Sequence, residues 1–180
     1  MEYSIIHKTR NKEIVDINGH LYIRQINPSV IIMPYVLDEN GMPNKIGIIS
    51  EILDQRPNGI FKTLITGTPN DEDSNIFQTA VRELKEESGF EVKDIKRWKF
   101  LGSIYTSKMI LNSNPCFAVD ITSLIPSEKE PDEGNKEKDS KFELIEITEA
   151  INLEDSLINT LFIKTFKDLF IEKIKPECVE

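Results

Sequence analysis

Cysteine is nearly missing from this 180-residue chain: Cys116 and Cys178 are the whole supply. Two cannot build a disulfide framework. A Cys116–His pair has no flanking signature of a thiol protease, so a buried structural cysteine is the simpler reading. Histidine is as scarce, with only His7 and His20 and no H-E-x-x-H, which puts zinc proteases out of view. Neither G-x-x-x-x-G-K-[ST] nor G-x-G-x-x-G occurs, so two common phosphate-cradling loops are absent. Positive charge is short too: 22 basic against 31 acidic residues give a formal net charge of −9. A dedicated nucleic-acid binder normally shows a basic face, and no nucleic-acid partner is expected. Long apolar runs are also lacking. "SVIIMPYVL" is among the longest and falls far below the roughly 20 residues that span a bilayer, so no membrane partner is expected. No signal peptide precedes the first polar residues, and the expected setting is a reduced cytoplasm.

What the chain does have is 39% hydrophobic residues, enough for a globular fold, and a length that suits one domain with a sizeable core. The first third reads as strands. "EIVDI" and "HLYIRQ" flank Asn18-Gly19, a two-residue hairpin signal. "SVIIMPYVL" is a β-branched run, and "KIGIISEIL" is its expected partner across the turn "DENGMPNK". "GIFKTLITG" reads as one more strand ending at Gly67, followed by the polar loop "TPNDEDSNIF" with Asp73 or Ser74 as N-cap. From Asn75 the period changes: Ile76, Phe77, Ala80, Val81 and Leu84 mark the core face of a helix that Gly89 ends. Strands resume in "KFLGSIYTS", "PCFAVDITSL" and "FELIEI", with a charged loop over 126–141 before the last. A final helix shows in Leu157, Ile158, Leu161, Phe162, Thr165, Phe166, Leu169, Phe170 and Ile174, with Lys164, Lys167 and Glu172 opposite. Trp98, beside Lys96 and Arg97, fits a partly buried strand residue better than a stacking platform. The order predicts an α+β fold, or a mixed sheet sandwiched by helices.

The helix carries an oddity. "AVRELKEESGF" crowds Glu83, Glu86 and Glu87 into about one turn, where like charges weaken a helix by a few tenths of a kcal/mol each. At about 100° per residue the three fall within an arc of roughly 100°, beside the buried face rather than opposite it. A solvated surface helix could tolerate such crowding. Partly desolvated carboxylates on a rigid element suit a hard cation better: Mg²⁺ takes oxygen ligands, commonly a few carboxylates plus substrate phosphates.

"RELKEESGF" resembles the core of the Nudix box, G-x5-E-x7-R-E-U-x-E-E-x-G-U, with U aliphatic or aromatic. Arg82, Glu83, Leu84, Glu86, Glu87, Gly89 and Phe90 all match. Five fixed identities in a chain this long arise by chance with odds of about 10⁻⁴ at ~6% usage per residue. The match is partly degenerate: the box glycine falls on Thr68 and the first box glutamate on Ser74, with Gly67 one position early. Glu72 or Asp73 is the candidate for the missing acid. The resemblance covers roughly residues 28–175 and implies a Nudix-type α/β/α sandwich. Residues 1–28 would then be an N-terminal strand extension and residues 29–180 the Nudix hydrolase domain.

The resemblance also implies a chemistry. Water attacks the pyrophosphate of a nucleoside diphosphate linked to another group, with Mg²⁺ or Mn²⁺ held by Glu83, Glu86 and Glu87. Glu83 would also orient the water, and Arg82 would pair with an acid and fix the helix. Members that cleave ADP-ribose place a further carboxylate where Glu143 stands, and Glu143 is the expected second catalytic residue. Glu133, Glu137 and Asp139 are alternatives, each set against a plain solvated charge. For substrate, Arg56 offers a phosphate contact and Phe61 a base or ribose face, against a surface arginine and a core phenylalanine. Ser107 and Lys108, in a segment resembling one that lines the pocket of ADP-ribose and nucleotide-sugar pyrophosphatases, could touch phosphate. In that group the N-terminal segment helps build a homodimer, so a homodimer is expected here. The rival reading is a Nudix-fold module that senses ADP-ribose or a related nucleotide without cleaving it.

Overall fold

The computed structural model describes residues 3–52, 59–127 and 140–174, with backbone alone over 170–174. Asn18 and Gly19 both take positive φ (56° and 83°), which is the primed hairpin turn their identities predict. They join β2 (Lys12–Ile17) to β3 (His20–Gln25). A further strand, β1 (Ser4–Lys8), pairs with β2; "SIIHK" is exposed along its length and offers no alternation from which to read it. Glu13 on β2 is buried and paired with Lys8 at 3.0 Å and with Arg24, whose guanidinium lies over the Tyr3 ring.

The main sheet has seven strands and is mixed. At its centre β4 (Val30–Leu37) runs parallel to β9 (Asn114–Asp120) and antiparallel to β5 (Pro43–Ile52), the partner the sequence suggests. Strands β10 (Lys141–Glu146) and β8 (Trp98–Ile104) close the two edges. A strand covered on both faces must be apolar on both. On β4, Val30 and Ile32 bury toward one side and Ile31 and Met33 toward the other.

"GIFKTLITG" is two strands rather than one. β6 (Ile60–Thr63) pairs with β5, and β7 (Ile65–Gly67) pairs with β4, filling the gap where β4 and β5 part after a short shared register. Leu64 sits at the switch, fully buried.

Helix α1 (Ile76–Ser88) covers one face, with Ala80 and Leu84 packed among Val30, Ile32 and Ile65. The short α2 (Ile147–Ala150) and the long α3 (Ser156–Ile174) cover the other through Ala150, Ile158, Leu161 and Phe166. The result is an α+β sandwich of helix, mixed sheet and helices. Asn75, not Asp73 or Ser74, caps α1: it is extended (φ −162°) and accepts from the Phe77 and Gln78 amides. Asp73 is engaged elsewhere, as described below. Gly89 ends the helix in the left-handed region (φ 77°).

Helix α3 bends at Phe166 (φ −110°, ψ 16°). The Lys99 ammonium donates to the Thr165 carbonyl at 2.8 Å. Lys164, expected on the solvent side, instead lays its stem inward and donates to the Leu101 carbonyl at 3.0 Å. Trp98 is half-buried and donates to the Val92 carbonyl, and Cys116 is fully buried on β9. The side chains of Phe170, Glu172 and Ile174, all of Cys178, and residues 128–139 of the charged loop lie outside the described residues. Among the described residues no helix is long and apolar enough to cross a membrane.

The strand registers gather one set of ends together: the starts of β4, β9 and β10 and the finishes of β5, β7 and β8. The β8–β9 loop leaves from this end and docks on β3. The Ile23 amide donates to the Met109 carbonyl, Leu111 returns a bond to the Ile23 carbonyl, and the Gln25 amide donates to Asn112 Oδ1. The N-terminal sheet is thereby held to the end of the main sheet at which Gly67 lies.

Candidate active site

Glu83 is the most confined of the three helical glutamates. Its side chain lies on the backbone of β7 at Gly67, so closely that a Cβ built there would sit 1.9 Å from its Cδ and 2.2 Å from Oε1. A side chain at 67 would therefore push the Glu83 carboxylate off the strand. Only 12% of the Glu83 side chain remains exposed. Burial pushes its carboxyl up to about 7; Arg82 pulls the other way, and Glu86 and Glu87 add to the rise.

Arg82 is the hub of the surrounding charges. Nε and Nη2 donate to the two Asp73 oxygens at 3.2 and 2.9 Å, a bidentate grip. Nη2 also donates to the Thr68 carbonyl at 3.0 Å, and Nη1 donates to Glu86 Oε2 at 2.7 Å. Glu83 Oε1 lies 3.0 Å from Nη2. Burial works against the guanidinium charge, but Asp73, Glu83 and Glu86 outweigh it and hold its pKa above the ordinary range. The Asp73 carboxyl is held below the usual value, foremost by its bond from Arg82. The acid that meets Arg82 is thus Asp73, one position before Ser74. Arg82 fixes the loop to the helix, as the box pattern leads one to expect.

Glu86 is half exposed, and Glu87 accepts a 3.3 Å bond from Ser140 Oγ, just ahead of β10. No pattern in the sequence pointed to Ser140, because its approach depends on the long connection into β10. Among the described residues no three histidine, cysteine, aspartate or glutamate side chains converge as a ready metal cage. The donor chemistry nevertheless fits a hard divalent cation: carboxylate oxygens on one helix edge, one of them buried with too little positive charge to hold it ionised.

The other expected site residues scatter. Glu143 is not brought to the glutamates. Side chains alternate along β10: Phe142 faces α1, while Glu143 shares the opposite face with Ile145, under α2 and α3. There it accepts a 2.6 Å bond from Ser50 Oγ, which with nearby Lys62 and Lys141 keeps its carboxyl below the usual value against burial. A pairing register one residue out would have reversed this, and the sequence does not state register. Phe61 is half-buried on β6 opposite Glu51. Ser107 and Lys108 are exposed in the β8–β9 loop, at the same end of the sheet as Gly67; Ser107 Oγ accepts from the Met109 amide. Arg56, Glu133, Glu137 and Asp139 lie outside the described residues.

Compared by sequence, the chain matches no family model and none of the curated proteins. Compared by structure, it superposes on an ADP compounds hydrolase with a TM-score of 0.61 and 16% identity, covering 96% of this chain and 94% of that one. A mutT/nudix family protein from Listeria innocua follows at 0.53 and 19%, covering 82% and 96%. The NUDIX domain of Shewanella oneidensis NrtR, complexed with ADP ribose, matches at 0.57 and 10%, covering 79% and 88%. The chain has the Nudix fold. At these identities the likeness reaches the fold and goes no further.

Within this Nudix fold, Glu83 leaves a pH signature. Its carboxyl titrates near 4.5 in the unfolded chain and near 7 in the folded one. Between those values the folded state holds a proton that the unfolded state has released, so stability falls as pH rises through the window and stays lower above it. Without divalent cations, the melting temperature of the parent should therefore drop more between about pH 5 and pH 8 than that of Glu83→Gln. Paired thermal melts in chelator read this directly, and equal drops would clear Glu83 of the effect.

Proposed function

We propose that the chain hydrolyses the pyrophosphate bond of a nucleoside diphosphate linked to another group, with ADP-ribose or a nucleotide sugar as the substrate class. The carrying observation is the seat of Glu83, a buried carboxylate pressed onto Gly67 at one end of a Nudix-fold sheet. The likeness to an ADP compounds hydrolase over nearly the whole chain supports the reading, as does the likeness to a domain bound to ADP ribose. Glu83, Glu86 and Glu87 would hold Mg²⁺ or Mn²⁺, which supplies charge neutralisation and a more acidic bound water.

The chain's own groups then divide the work. Glu83 would also orient the attacking water, since its carboxylate is held on a rigid helix edge against Gly67. Arg82 is committed to Asp73 and Thr68 and anchors the loop rather than the substrate. Ser107 and Lys108 stand at the same end and are assigned to phosphate contact. Glu143 receives no catalytic role in this scheme, because the sheet stands between it and α1.

The second reading, a sensor that binds without cleaving, draws on one observation: Arg82 already occupies the Glu83 and Glu86 carboxylates. A panel of nucleoside diphosphate derivatives with Mg²⁺ or Mn²⁺ separates the two. Cleavage of ADP-ribose or a nucleotide sugar is expected; tight binding of one compound with no cleavage under either metal would favour the sensor.

Glu87→Gln keeps size and helix propensity and removes one like charge. Apo stability should hold or rise by a few tenths of a kcal/mol. Turnover should fall at least about a hundredfold, roughly 2.7 kcal/mol of transition-state stabilisation. Near-parental turnover would leave Glu87 as a surface charge.

We also propose a homodimer built through the N-terminal sheet. Three strands alone make no core, yet Ile14, Leu21 and Ile23 stay exposed on one face of it. Light scattering at tens of micromolar should give twice the mass of one chain, and a monomeric mass would refute the assembly.

A further inference from the structure

Arg82 has more acceptors than hydrogens on one side. A guanidinium carries five N–H groups, two of them on Nη2. Nη2 faces three oxygens, Asp73 Oδ2 at 2.9 Å, the Thr68 carbonyl at 3.0 Å and Glu83 Oε1 at 3.0 Å. The first two receive the better-aligned hydrogen bonds, and Glu83 shares the same nitrogen as an ion pair. Asp73 is gripped at both oxygens and its side chain is 6% exposed, whereas the Glu86 side chain is 54% exposed. An exposed ion pair one helical turn apart is worth only a few tenths of a kcal/mol. Arg82 is thus anchored on the loop side by a buried bidentate pair, while on the glutamate side its bond to Glu86 is exposed and that to Glu83 is a single contact.

We propose that Arg82 is the resident counter-ion of Glu83 and Glu86, that a divalent cation enters by displacing it, and that Asp73 is the positioning residue that receives it. This rests on the assignment of a cation to those glutamates. On this reading the place between Glu83 and Glu86 is held by the chain's own positive charge until a cation arrives. It also gives Asp73 a task beyond tying the loop. A charged, bidentate acceptor lets Arg82 withdraw without becoming an unpaired buried cation, which would oppose the incoming metal. Cation affinity is then set by a pair that includes no metal ligand.

The test is Mn²⁺ binding to the full chain with no nucleotide present, read from the free Mn²⁺ signal by electron paramagnetic resonance. Asp73→Asn should weaken binding by about tenfold or more, the range seen when partners behind metal ligands are removed. Arg82→Gln, lacking the competitor, should bind at least as tightly as the parent. In the double variant the Asp73→Asn effect should vanish, since Asp73 acts only through Arg82. Should Asp73→Asn fail to fold, Arg82→Lys serves instead: it keeps the charge, cannot make the bidentate grip, and should bind Mn²⁺ more weakly than the parent. Persistence of the Asp73 effect without Arg82 would overturn the proposal, as would an Asp73→Asn or Arg82→Lys chain that binds like the parent. Weaker binding by a cooperatively melting Arg82→Gln would also overturn it. A parent that takes up no Mn²⁺ at millimolar concentration would sink both this inference and the metal assignment beneath it.

Discussion

The contact between the Glu83 side chain and the backbone at Gly67 constrains much of the molecule. A carboxylate can lie there only if position 67 has no Cβ, if β7 runs along β4 beneath α1, and if α1 starts and stops where it does. The β6–β7 switch meets the second condition by carrying the chain from β5 across to β4. Asn75 and Gly89 meet the third by capping the two ends of the helix. The N-terminal sheet is outside this set: it is tied on through the β8–β9 loop.

Setting a carboxylate in that position creates an electrostatic debt that hydrophobic packing cannot cover. Desolvation dominates at Glu83, and the adjacent guanidinium only partly offsets it because its hydrogens are already shared with Asp73, Thr68 and Glu86. A carboxylate left between neutral and ionised near pH 7 is a costly group to keep in a structural role. Its position at the end of the sheet where strand termini and loops gather is where a ligand has access. Geometry and charge point to one site, although each alone would be ordinary.

Most of the architecture could be read from residues because its signals are local. Asn18-Gly19 fixes a turn through positive φ, the β-branched run "SVIIMPYVL" reads as a strand, and the spacing of Ile76, Ala80 and Leu84 selects a helix. The site was legible where it is a helix: Glu83, Glu86 and Glu87 share an edge by periodicity alone. It was not legible where it depends on pairing between distant segments. Glu143 and Phe142 are adjacent in sequence, yet they face opposite layers, and only the register of β10 on β5 decides which one meets α1. Ser140, which does reach Glu87, is an unremarkable serine after a charged loop. The splitting of "GIFKTLITG" was hidden for the same reason, since both halves look alike until their partners are known.

The departures from the box are best understood together. Set against the box the segment resembles, the chain has threonine at 68 and serine at 74, and the acid that meets Arg82 stands one residue earlier, at Asp73. That shift need not displace the arginine, because a guanidinium fork meets a carboxylate along a side chain long enough to absorb one residue of loop. It does change what the loop backbone is free to do. The Thr68 carbonyl accepts from Arg82 Nη2, so in this state a group that could otherwise turn toward a cation is engaged in holding the arginine. The loop is therefore organised around Arg82, and the helix edge around Glu83. The two meet where Nη2 lies 3.0 Å from Glu83 Oε1 and Nη1 lies 2.7 Å from Glu86 Oε2. Arg82 would keep its bonds to Asp73 and Thr68 if its hold on Glu83 broke, so the loop would stay tied while the buried carboxylate was left to a proton or another positive charge.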